Sequence, residues 1–156
     1  MRLIIAAVGQ KMPHWVNDGF SEYRKRMPGH LRLDAVEVPM PRRGRNARTA
    51  KLVETEAAAL KAALPGNCLR IALDARGKQW STMQLEQQIE QWQHDGRDIG
   101  FMIGGPDGLA PELVTSADVV WSLGSLTLPH PLVRVILAEQ LYRAWTITVG
   151  HPYHRE

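Results

Sequence analysis

Residues 99–108 constrain this chain more than any other stretch. Ile99, Phe101, Met102 and Ile103 run without a polar break into Gly104-Gly105-Pro106-Asp107-Gly108. Successive apolar residues, rather than alternate ones, are what a strand covered on both faces requires. Such strands belong to parallel sheets with helices on either side. Two adjacent glycines at the carboxyl end allow close backbone approach or positive φ, and Pro106 stiffens the turn and removes a donor. Ligands of open α/β sheets sit just beyond the carboxyl ends of the strands. The turn is therefore either one wall of a binding site or a tight connection to the next helix.

A chain of 156 residues is expected to be one domain, spanning residues 1–156, and can bury a sizeable core without staples. The single cysteine, Cys68, excludes an internal disulfide and fits a reducing compartment. No apolar run approaches the roughly 20 residues of a membrane-spanning helix. Leu3 to Val8 is followed by Gly9-Gln10-Lys11 and reads as a first strand rather than a signal segment. A cytoplasmic protein without a membrane partner is expected. The net charge is +3 and the pI about 9.3, so the placement of the charges matters more than their sum.

In chain order, a helix is predicted from about His14 to Met27, ended by Pro28-Gly29, and a second strand over Leu31 to Val38. Pro39 to Arg48 is a loop by composition and carries Arg42, Arg43, Arg45 and Arg48, the densest charge run in the chain. Asn46 to Leu64 has helical apolar spacing. Leu69 to Leu73 reads as a strand, with Asp74 to Lys78 as the loop beyond it. Ser81 and Gln84 form a capping box for the next helix, which ends at Asp95-Gly96. After the opening strand come a short helix over Ala110 to Ala117, a last strand over Val119 to Leu123, and a closing helix over Leu132 to Trp145. Strands alternating with helices give an α/β domain with a mainly parallel sheet flanked by helices. The closing helix is apolar all round, so it is covered all round: by the rest of the domain, or partly by a second subunit. The expectation is a homodimer.

The pattern Ile103-Gly104-Gly105-Pro106-x-Gly108, then Leu126-Thr127-Leu128-Pro129-His130, then a closing apolar helix, resembles the SPOUT methyltransferases. Lys11-Met12-Pro13, Asp95-Gly96-Arg97-Asp98, Leu126 to Val135 and His151-Pro152-Tyr153-His154-Arg155-Glu156 narrow the resemblance to the small ribosomal RNA methyltransferase H family. It covers essentially the whole chain. It implies an α/β knot with a C-terminal trefoil, a homodimer, and S-adenosylmethionine-dependent methylation of N3 of a pseudouridine in large-subunit (23S) ribosomal RNA. A methyltransferase with another RNA target, or a non-catalytic RNA-binding module on the ribosome, shares the same fold features. Asp107 stands where the family often carries Glu, which keeps the carboxylate and shortens its reach.

On this resemblance three loops at strand ends hold the cofactor: Leu73; Ile103, Gly104, Gly105 and Gly108; and Leu123, Gly124, Ser125, Leu126, Thr127 and Leu128. Leucines suit adenine, and bare glycine turns expose backbone donors and acceptors. No phosphate-cradling glycine motif is present, and none is needed. The imide nitrogen of the base is protonated at neutral pH, so a base or a cation must assist. The candidates are His130, Arg143, His154 and Asp107, with Tyr153 to stack on an extruded base. Arg42, Arg43, Arg45, Arg48 and Arg155 are the expected RNA contacts. His151 and His154 lack a carboxylate or cysteine to complete a ligand set, so no metal is expected.

Overall fold

A computed structural model describes residues 1–155 of the chain; Glu156, the last residue of the C-terminal motif, lies outside the described residues. Five parallel strands form one sheet in the order β2-β1-β4-β3-β5. They are β1 (Arg2–Val8), β2 (Arg32–Val38), β3 (Leu69–Gln79), β4 (Ile99–Ile103) and β5 (Val119–Ser122). The connecting helices are α1 (His14–Arg26), α2 (Thr49–Ala62), α3 (Thr82–Asp95), α4 (Pro111–Thr115) and α5 (His130–Thr148).

The side-chain period of two in β1 divides the core. Leu3, Ile5 and Ala7 face one layer, with Leu85, Ile89 and Trp92 of α3 and Leu137, Ala138 and Leu141 of α5. Ile4, Ala6 and Val8 face the other, with Val53 and Leu60 of α2 and Leu113 of α4. Every residue of β4 is buried, as its continuous apolar run requires. The capping box at Ser81 and Gln84 forms, and α3 ends on Gly96 at a left-handed φ of 69°.

The segment Asp74 to Lys78, expected as a loop, continues β3. The ladder to β5 slips between Leu73 and Lys78, so that both pair with Trp121. The strand thus carries an irregularity of the kind that re-aims side chains beside functional sites. Other boundaries move too. The arginine segment stays non-helical through Arg48, the N-cap of α2. The closing helix begins at His130, two residues before Leu132, because Pro131 fits a helix's first turn, where no amide partner is needed. It also runs on past Trp145 to Thr148.

In the shifted part of β3, a Cβ at Gly77 would lie 2.7 Å from backbone atoms of Val120 and Trp121. Gly77→Ala is expected to cost about 1–3 kcal/mol through forced separation of β3 from β5, read as a lower urea midpoint. An unchanged midpoint would contradict this close approach.

Candidate active site

A cleft of about 460 Å³ opens where β3, β4 and β5 deliver their loops. Its walls are Leu73, Asp74 and Ala75 at the slip in β3; Ile103 to Pro106 and Gly108 after β4; Trp121 to Gly124 at the end of β5; and Leu126 to His130 with Val133 leading into α5. The volume lies in the range of small-molecule sites, and the location is the one α/β sheets use.

The glycine turn is shaped by absent side chains. A Cβ at Gly104 would lie 2.5 Å from the carbonyl carbon of Gly108. Gly108 has a φ of 77°, and its amide donates to the Gly105 carbonyl at 3.0 Å. Gly105 points the other way: its Cβ position faces Val8 and Glu56 in the second core layer, not the cleft. On the opposite wall, Ser122 is buried and folds the next turn. Its hydroxyl donates to the Gly124 carbonyl at 2.9 Å and accepts from the Gly124 amide. Gly124 takes a φ of 144° there.

His130 is the first residue of α5 and lines the cleft. Burial, with the Arg134 guanidinium as a second cause, lowers its pKa below the ordinary value of 6.5. The imidazole is therefore neutral at physiological pH and able to accept a proton. Asp74, the other titratable group of the wall, is held ionised below its usual range by hydrogen bonds from the Arg76 side chain and amide.

Residues 1–154 match a family model described as "Predicted SPOUT methyltransferase". The chain belongs to the SPOUT methyltransferase family. It is 50% identical over 156 residues, all of both chains, to the ribosomal RNA large subunit methyltransferase H of Thioalkalivibrio sulfidiphilus. It is also 50% identical over 155 residues to that of Pseudomonas fluorescens, covering 99% of this chain and 100% of the relative. These matches place it among the methyltransferases H, so the family expected from the glycine turn and the Leu-Thr-Leu-Pro-His segment is its family. A "probable methylase family protein" from Haemophilus influenzae has the same fold. It has a TM-score of 0.56 and 13% identity, over 99% of this chain and 70% of that one.

Of the residues expected to form the cofactor site of this SPOUT methyltransferase, all but Ser125 line the one cleft. Ser125 is exposed on the 123–128 segment and does not line it. The expected catalytic residues separate into distant groups. His130 is at the cleft. Arg143 is thirteen residues further along α5, about 20 Å by helical rise. There Arg143 Nε donates to Glu139 Oε1 at 2.7 Å, and the Tyr153 hydroxyl donates to the same oxygen at 3.1 Å. Tyr153 packs edge-on against Tyr142 with the Arg143 guanidinium 5.0 Å from its ring centre. Burial, with hydrogen bonds to Tyr23 and Glu139, raises the Tyr153 pKa, so the phenol stays protonated. His154 follows, with Nδ1 buried and without a hydrogen-bond partner among the described residues. The tail is ordered from the helix end onward by a Schellman-type bond from the His151 amide to the Thr146 carbonyl, with Gly150 at φ 65°.

Asp107 sits in the glycine turn but does not line the cleft; it is ion-paired with Arg43, 64 residues away in sequence. One arginine of the basic segment is thus fastened to the turn, while Arg42, Arg45 and Arg48, like Arg155 in the tail, are exposed. Beneath them Glu56 is 3% exposed. Its carboxyl pKa is raised by burial and by Asp107, with Arg43 opposing. The sequence reading missed Glu56; the signal was its position three residues after Val53 and four before Leu60, on the buried face of α2.

Glu139 accepts from Gln140, Arg143 and Tyr153. Glu139→Ala is expected to release the tail. Amide exchange over residues 151–155 should rise roughly tenfold or more, since one hydrogen bond to a charged group contributes about 1.5–3 kcal/mol before solvent screening. Exchange in β4 should not change. Unchanged tail protection would mean that aromatic packing alone holds it.

Proposed function

We propose that this chain transfers the methyl group of S-adenosylmethionine to N3 of a pseudouridine in large-subunit (23S) ribosomal RNA, in the cytoplasm, as a homodimer with a C-terminal trefoil knot. The observation that carries the proposal is the cleft where β3, β4 and β5 deliver their loops. It gathers the glycine turn, the Leu126 to Leu128 segment and a neutral His130 in a chain whose relatives are named ribosomal RNA large subunit methyltransferase H.

The lining fits the cofactor. Leu73, Leu123, Leu126 and Leu128 offer an apolar slot for adenine, and the glycine turns bring bare backbone within reach of the ribose and ring edge. When bound, S-adenosylmethionine supplies a methyl group already activated on a sulfonium and departs as a neutral thioether. The chain's own work is to align the base for in-line attack, which alone supplies roughly 7–11 kcal/mol, and to take the proton of N3. His130 Nε2 accepts that proton and becomes imidazolium, so charge and atoms balance. General base assistance of this kind contributes about 10²–10⁴-fold. Arg42, Arg45 and Arg48 grip RNA phosphates, with Arg43 joining them from its pair with Asp107, and Arg155 adds a contact from the tail.

Tyr153, His154 and Arg143 complete the site from the partner subunit. Within one chain they lie about 20 Å along α5 from His130, while Leu132, Val133, Ile136 and Trp145 keep part of the helix's apolar surface uncovered. A two-fold interface along α5 brings one chain's tail to the other chain's cleft.

The test is transfer of labelled methyl from S-adenosylmethionine to bacterial large-subunit ribosomal RNA, followed by mass analysis of the nucleosides. N3-methylpseudouridine is the expected product, and absence of label in pseudouridine overturns the assignment. The shared site is tested by mixing a chain lacking residues 153–156 with a Thr127→Arg chain, whose cleft is blocked. After random exchange about half the dimers are mixed and about a quarter of all sites are intact, so activity returns to about that fraction. Background activity after verified exchange would show that the tail serves its own chain.

A further inference from the structure

Arg134 is 5% exposed in the first turns of α5. A buried guanidinium is costly unless its donors are used. Its Nη2 donates to the carbonyls of Val8 at 3.1 Å and Gly9 at 2.7 Å, at the carboxyl end of β1. Its Nη1 donates to Glu37 Oε2 at 3.0 Å, on the neighbouring edge strand β2. The side chain therefore ties the start of the closing helix to two strand ends. Apolar contacts could do that fastening as well, because buried ion pairs seldom outperform a hydrophobic replacement in stability.

What an apolar residue could not do is act on His130. The two residues are four apart on one helix face. Gly9 lies between them: a Cβ there would be 3.5 Å from Arg134 Nη2 and 3.5 Å from His130 Nε2. No side chain stands there, and the two nitrogens lie no more than about 7 Å apart. Among the described residues, Arg134 is the charged group that bears on His130. Glu37 is more than a third exposed and partly offsets that cation from the solvent side.

We propose that the Arg134–Glu37 pair is the positioning element for His130. It pins the start of α5 to β1 and β2, and it presents a cation one helical turn from the imidazole, adding to the larger effect of burial on that ring. This rests on the role assigned to His130 above. Glu37 sets how much of the Arg134 charge the imidazole feels. Removing Glu37 strengthens the cation's effect, and removing Arg134 abolishes it.

The test is an NMR titration of the histidine rings in the full-length protein, with His130→Asn identifying the His130 signal. Arg134→Gln is expected to raise the His130 midpoint by about one pH unit, the size of effect that a charge a few ångströms away exerts. Glu37→Gln is expected to lower it. If Arg134→Gln does not fold, Glu37→Gln, at an exposed carboxylate, decides alone. A purely structural Arg134 would lower the melting temperature and leave the midpoint in place, and that result overturns the proposal. The acid limb of the methyl-transfer rate should follow the midpoint in each variant; a limb that does not follow overturns the proposal at the reaction step. The titration needs neither RNA nor cofactor. Absence of methyl transfer in the wild-type protein would therefore fail the functional assignment without touching the measured hold of Arg134 on His130.

Discussion

The structure depends on the burial of β4 on all sides. It is paired with β1 and β3 along its two edges and covered by helices on its two faces. A strand so enclosed has no room to adjust, and the chain leaving it must turn at once. Side chains are excluded there by backbone at 2.5 Å from the Gly104 Cβ position. The result is a rigid wall of bare backbone at the centre of the sheet's carboxyl edge. Everything proposed for the cleft builds on that wall: the 123–128 segment faces it, and His130 enters from the helix that follows.

The closing helix has two ends with different duties. Its first turn is fixed by Arg134 to the ends of β1 and β2, beside the cleft. Its last turns carry Glu139, Arg143 and the docked tail, far from the cleft of the same chain. Under the proposed function, a second copy supplies the missing half of the site. The half-covered apolar surface between those two ends is where the proposed second copy would pack.

Most of the fold was legible in the sequence because its signals are local. The apolar run of β4, the Ser81–Gln84 box and the Pro-Gly and Asp-Gly stops act over a few residues, and each appears where it was read. The cleft was legible because strand ends and glycine turns converge by topology. The features that escaped are long-range or conceal their geometry. Asp74 to Lys78 looks like a loop because its residues are charged or glycine, yet pairing with β5 holds it in the sheet. Asp107 looks like a cleft carboxylate until Arg43 claims it across 64 residues. Gly105 was expected in the cofactor site and lines the cleft, yet the direction its missing side chain would take, toward Val8 and Glu56, shows only in the folded chain. Arg134 carries no local signal, and only the packed structure buries it between two strand ends.

The most direct test of the central claim is a crystal structure of the protein with S-adenosylhomocysteine bound. The account predicts one ligand per chain. Its adenine should lie among Leu73, Leu123, Leu126 and Leu128, its ribose against the Gly104–Gly108 turn, and its sulfur toward His130. A ligand seated outside this cleft, or a cleft that stays empty at saturating concentration, would contradict it.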